Sequence, residues 1–277
     1  MTILDRAMAW SSSWATMKAE VEEAFSQLEF PDLNEFGQDP FGLQPELLPK
    51  AALPLYWAYK EYFRVQNYHI DRLPDEPYLV VANHTGQIPL DAAMITGAVM
   101  NDAPHPRFLR AMVDHFVARL PFVGSFFEKC GQVTGTPENC LYLLSRGYSV
   151  LVFPEGAKGI TKPFHRAYEL QSFGQGFLRL ALQAGVPIVP VAVIGAEESL
   201  PSLGTLDFLS RVGGPPLPIL TTPVPLPTQF HIHWGEPLRF DAKHDDDDQV
   251  ISALVEEVRE TIRCMIEEGL ATRDGVF

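Results

Sequence analysis

Cysteine is scarce in this chain: Cys130, Cys140 and Cys264 are the only three, with no C-x-x-C spacing. An odd, scattered set gives neither a disulfide framework nor a thiolate zinc site, and the thiols read as reduced. Cations are also few, 21 Lys and Arg against 35 Asp and Glu, for a formal net charge of −14. A nucleic-acid surface needs clustered Lys and Arg, so no nucleic-acid partner is expected. No window offers the roughly 18 apolar residues, free of helix breakers, that a spanning helix requires. The N-terminus lacks the basic start and continuous apolar run of a secretory signal. A cytoplasmic location follows as the expectation.

What is present is enough apolar material for a large core: 277 residues, 46% of them hydrophobic and 11% aromatic. That suits one large domain, or one domain with a helical extension. Residues 4 to 29 read as an amphipathic helix, with Trp14, Met17, Val21, Phe25 and Leu28 on one stripe. A Pro, Gly and Asp-rich connector follows. The spacing then predicts a second, aromatic helix from Pro45 to Arg64. Its Leu55, Tyr56, Trp57, Tyr59, Tyr62 and Phe63 belong either to the core or to a membrane interface.

From there strands alternate with helices. Strands are predicted near 78–81, 107–112, 132–133, 149–153, 186–195 and 230–234, and helices from Leu90, over 138–146 and over 173–184. A C-terminal amphipathic helix carries Ile251, Val255, Val258, Ile262 and Ile266, with Asp245 to Asp248 as a solvated N-terminal cap. Such alternation implies βαβ units: an α/β fold with a central, mostly parallel sheet flanked by helices, and an N-terminal helical extension over 1–66. Residues 212 to 230 are uncharged and hold six prolines. They read as an extended apolar loop that covers the core, lines a channel or meets a bilayer surface.

Right-handed crossovers gather the carboxyl ends of parallel strands at one edge, where open α/β sheets bind ligands. Three polar turns fall there: Asn83-His84 after the first buried strand, Pro154-Glu155-Gly156 after the second, and Glu197-Glu198 after the third. His84, Glu155 and Glu197 are thus expected to share a crevice. An imidazole so placed serves either as a base or as a hydrogen-bonded turn residue.

Asn83-His84 with Asp91, then Phe153-Pro154-Glu155-Gly156, then Val186-Pro187-Ile188-Val189-Pro190, in this order, resemble the motifs of the glycerolipid acyltransferase superfamily, the 1-acylglycerol-3-phosphate acyltransferase and lysophospholipid acyltransferase type. The resemblance covers roughly residues 65 to 240 and makes 67–277 the acyltransferase domain. It implies transfer of an acyl group from a thioester, acyl-CoA or acyl carrier protein, to a lysolipid or glyceride hydroxyl. His84 is then the general base and Asp91 its orienting acid. Asn83, Glu155, Gly156 and Lys158 are implied substrate-binding residues, with Glu155 on a polyol hydroxyl and Lys158 on a phosphate. No G-x-S-x-G elbow is present, so no acyl-enzyme is suggested. No cofactor and no metal ligand set are expected, and the protein is expected to work on the inner face of a membrane.

Two departures matter. The spacing here is His-x6-Asp where the family commonly has His-x4-Asp, so Asp91 reaches His84 only if the Thr85-Gly86-Gln87 turn loops out. Many members place an Arg between the two motifs for an acceptor phosphate, whereas this chain reads Gly131-Gln132-Val133-Thr134-Gly135-Thr136. Loss of that guanidinium points to an acceptor less dependent on a phosphomonoester, with Arg110, Arg166 or Arg179 as replacement candidates. A thioesterase or lipid hydrolase, or a non-catalytic lipid-binding protein, are the alternative readings.

Overall fold

A computed structural model describes residues 3–85, 88–160, 162–206 and 217–277. Helix α1 (Ile3–Ser26) lies along α2 (Leu48–Trp57). The predicted stripe is the contact: Met17 and Val21 are buried with Tyr56, and Phe25, Ala52 and Leu53 pack around them. Pro54 lies inside α2, and a π-turn at Ala58–Tyr62 prolongs the helix. Tyr59 and Phe63 enter the main core, while Leu55 and Trp57 stay partly exposed. The Tyr59 hydroxyl donates to Asp102 (2.6 Å), so the aromatic helix is anchored to the sheet domain.

The strands are β1 (Gln66–Tyr68), β2 (Leu79–Ala82), β3 (Leu109–Val113), β4 (Val133–Thr134), β5 (Ser149–Val152), β6 (Ile188–Ile194), β7 (Ser202–Leu206), β8 (Leu217–Leu220) and β9 (His231–Trp234). Between them run α3 (Leu90–Asn101), α4 (His115–Ala118), α5 (Val123–Lys129), α6 (Pro137–Ser145), α7 (Ala157–Ile160), α8 (Gly176–Ala184) and α9 (Ala196–Ser199), and α10 (Asp248–Thr272) closes the chain. Seven strands form one sheet in the order β1-β9-β6-β2-β5-β3-β4. Every adjacent pair is parallel except β6 with β9. The expected mostly parallel α/β sheet with a helical N-terminal region is the observed one.

Strand periodicity sends alternate residues to opposite faces. Val80 and Ala82 of β2 join Met94, Ile95, Ala98 and Val99 of α3 in one buried layer. Leu79 and Val81 join Leu143, Leu178 and the α10 stripe Ile251, Val255, Val258, Ile262 and Ile266 in the other. Both faces are covered, which is why the central strands read as continuous apolar runs.

One expectation changes here. Within the proline-rich segment, residues 217–220 are not loop but strand β8, paired antiparallel with β7. Pro218 is tolerated because a two-stranded ribbon has only edge strands, where a missing donor costs no central ladder bond. The start of that segment, up to Pro216, lies outside the described residues. Among the described residues, no helix is long and apolar enough to cross a membrane.

Candidate active site

Asn83 and His84 leave the carboxyl end of β2, and Asp91 stands in the first turn of α3. Despite the longer spacing the two side chains meet: His84 Nδ1 and Asp91 Oδ2 are 2.7 Å apart. Gly86 and Gln87, on which the looping-out expectation falls, lie outside the described residues. Asp91 is fully buried and held by main-chain donors, Oδ2 by Thr85 N (2.8 Å) and Oδ1 by Ala92 N (2.7 Å). A carboxylate at a helix N-terminus also meets the favourable end of the macrodipole. The His84 ring lies flat on Phe153, with centroids 4.1 Å apart and planes at 19°. Asp91 accepts the Nδ1 proton, so Nε2 is left as the basic nitrogen, and it makes no hydrogen bond among the described residues.

The second motif supports this pair from below. Glu155, only 4% exposed, accepts His84 N at Oε1 (2.9 Å) and Gln171 N at Oε2 (2.7 Å). It first works as a strut that ties the His84 backbone to the far end of its own loop, whereas the resemblance implies a polyol contact. Gly156 takes φ +57°, a left-handed turn that favours glycine. A methyl group on Gly159 would stand 3.0 Å from His84 Cβ and 3.1 Å from Glu155 Cβ, so the loop approaches the base closely only because residue 159 has no side chain. Lys158 is exposed on α7.

Two expected substrate contacts, Asn83 and Arg110, are corrected by their burial. Asn83 is 1% exposed, and its amide donates to Val193 O (3.0 Å) and accepts from Val193 N (2.8 Å). It straps β2 to β6 instead of facing a ligand. Arg110 is completely buried, pairs with Asp39 (2.7 Å), donates to Gly131 O (2.6 Å) and stacks near Tyr148. Its register partner Val150 is also that of Leu79, five residues before His84, or about 16 Å down the strands. Arg110 is therefore a core ion pair and not an acceptor clamp. Arg179 binds Asp248 (2.7 Å) at the start of α10. Arg166, half-exposed, pairs locally with Glu169 (2.7 Å).

The third turn holds residues that pattern reading under-weighted. Glu197 and Glu198 are 8% exposed and sit in the short helix α9. Glu197 accepts from Lys162 Nζ (3.1 Å) and Tyr168 N (3.1 Å), and burial raises its carboxyl pKa against the opposing pull of Lys162. Glu198 accepts from Arg273 (2.6 Å) and from the Tyr168 hydroxyl, and burial pushes that phenol well up. Tyr168 adopts φ +65°, a conformation held by these bonds and by Gly195 N on its hydroxyl (2.8 Å). Two adjacent acids after an apolar strand were a readable signal, since buried carboxylates require cations.

A His-carboxylate pair thus stands on the carboxyl edge of a mostly parallel α/β sheet, braced by a Glu that follows the neighbouring strand. Comparisons identify the family. The Acyltransferase family model matches residues 64–194. An uncharacterized protein of Mycobacterium tuberculosis is 36% identical over 258 residues, covering 88% of this chain and 72% of that protein. A Gallus gallus protein described as a DGAT1/2-independent enzyme synthesizing storage lipids is 27% identical over 172 residues, 62% of this chain and 51% of that one. The 1-acyl-sn-glycerophosphate acyltransferase PlsC of Thermotoga maritima shares the fold at a TM-score of 0.55 and 20% identity, covering 83% of this chain and 81% of its own. The chain belongs to the glycerolipid acyltransferase superfamily.

Proposed function

We propose that this protein transfers an acyl group from a thioester, acyl-CoA or acyl carrier protein, to a glycerolipid hydroxyl, with His84 as general base. The observation that carries the reading is the 2.7 Å contact of His84 Nδ1 with the fully buried Asp91. Nε2 takes the hydroxyl proton as the oxygen attacks the thioester carbonyl and a C–O bond forms. When the tetrahedral intermediate collapses, the C–S bond breaks and the imidazolium returns the proton to the leaving thiolate. Asp91 keeps the ring oriented and stabilises the imidazolium. Acyl-CoA is favoured as donor, because an acidic carrier protein meets repulsion from a chain of net charge −14.

The acceptor resides in a lipid phase, so the catalytic edge needs membrane contact. Exposed Phe122 and Phe126 follow β3, exposed Leu203 lies in β7 and exposed Val224 just after β8, which suits them to that contact. Liposome co-sedimentation unaltered by serine at all four positions would remove them from this role.

The test of the activity is thiol release from palmitoyl-CoA by wild type and His84→Ala, with and without lysophospholipids, monoglycerides and diglycerides, with products resolved by mass. Acceptor-dependent release that falls at least about 10²-fold in the folded variant is expected. Release without any acceptor would assign a hydrolase instead, and no turnover with palmitoyl-CoA or, in a parallel assay, with palmitoyl-acyl carrier protein would overturn the catalytic reading.

A further inference from the structure

The Lys162–Glu197 pair takes no part in the step above, yet it borders the base. It lies in a crevice that is also lined by Gly159, Phe164, Leu200 and Ser202. Gly159 is the residue whose backbone presses against His84 and Glu155, so crevice and base share a wall.

The chemistry of the crevice restricts what it can hold. Lys162 Nζ is committed to Glu197 Oε1 (3.1 Å) and Glu169 O (3.0 Å). Oε1 also takes Tyr168 N, while Oε2 makes no hydrogen bond among the described residues. The floor therefore offers an acceptor oxygen, and its cation is already paired. A phosphomonoester entering here would meet the Glu197 carboxylate while the lysine of the lining is already held by that carboxylate and by Glu169 O, an unfavourable arrangement.

We propose that this crevice binds the free, non-reacting hydroxyl of a monoacylglycerol-type acceptor through Glu197 Oε2, selecting a neutral glyceride head group over a phosphomonoester. The proposal rests on the glycerolipid acyltransferase reading and names its acceptor class. Glu197 is a binding residue for the acceptor, and Lys162 is the positioning residue that holds it.

The test is a calorimetric titration of the full chain with three short probes: 1-octanoylglycerol, 2-hydroxyethyl octanoate, which lacks one hydroxymethyl group, and 1-octanoylglycerol 3-phosphate. Wild type is expected to bind 1-octanoylglycerol about tenfold tighter than either alternative, the scale of a charge-assisted hydrogen bond. In Lys162→Met/Glu197→Leu, which exchanges the buried pair for apolar groups, the preference over 2-hydroxyethyl octanoate should fall towards one. Glu197→Gln, which keeps an oxygen for Lys162, should lower it partly and decides the matter should the double variant fail to fold. A preference unchanged in a folded variant, a wild type blind to the extra hydroxyl, or tighter binding of the 3-phosphate would each overturn the proposal. Turnover with palmitoyl-CoA, read on the same samples, reports separately on the acyltransferase reading.

Discussion

Replacing Asp91 by Asn probes the relay at its buried end. The carboxylate serves three donors: Oδ2 takes His84 Nδ1 and Thr85 N, and Oδ1 takes Ala92 N. An amide has one acceptor oxygen, so Asn must choose. With its oxygen in the Oδ2 position, the amide NH2 confronts Ala92 N. With its oxygen in the Oδ1 position, the NH2 confronts Thr85 N and forces His84 to accept at Nδ1, moving the ring proton to Nε2. Either arrangement leaves a buried donor unpaired at about 1–3 kcal/mol. The second also removes the basic Nε2 on which the proposed proton transfer depends.

The expected result is a loss of about 10²–10⁴ in kcat, the range for a positioned general base, with destabilisation of about 1–3 kcal/mol. Thiol release from palmitoyl-CoA gives the rate, and urea unfolding followed by circular dichroism gives the stability. The two readouts separate chemistry from folding, because a purely structural Asp91 would lower stability while kcat of the folded fraction stayed within about threefold of wild type. That outcome would refute the relay.

Arg110→Met leaves Asp39 buried without its cation and should cost about 3–5 kcal/mol in urea unfolding, with kcat/KM of the folded protein little changed. Selective loss of activity at full stability would return Arg110 to the substrate site. Acid should also weaken the fold. Burial, with His231 beside it, holds His233 down from 6.5 to about 4. The unfolded ring takes its proton first, so this contribution is present above pH 6.5 and is lost as pH falls towards 4. The shift bounds it at about 3 kcal/mol, and a part-buried ring keeps about half. His233→Gln should flatten the stability slope across that window, and parallel slopes would contradict the assignment.

The sheet was legible because burial on both faces writes strands as apolar runs and helices as stripes, and β2, β5, β6 and α10 were read within a few residues. The positions of His84 and Asp91 were legible because they coincide with chain-local punctuation, the end of a strand and the first turn of a helix. Asn83 and Arg110 were misread for the opposite reason: their partners are remote in sequence, Val193 and Asp39, and a polar residue shows no sign of its partner. Arg110 nevertheless carried a clue. It lies between Leu109 and Ala111 in a strand of a sheet covered on both faces, where a guanidinium needs a buried counter-ion. The same reasoning applies to Glu197 and Glu198, whose cations Lys162 and Arg273 come from a loop and from just beyond α10.

The His-x6-Asp spacing shows why loop length was a poor guide to the relay. His84 is placed by β2, whose ladder partners in β5 and β6 fix the strand end. Asp91 is placed by α3, where its carboxylate binds the helix's own Ala92 N. The turn between them only has to join two points set by regular structure, and extra residues in a turn add little closure entropy. Thr85 N then reaches the same Oδ2 that holds the imidazole, so the chain beside the base doubles as its anchor. What the proposed relay requires is therefore the meeting of a strand end with a helix start, and the spacing is one of several solutions to that requirement.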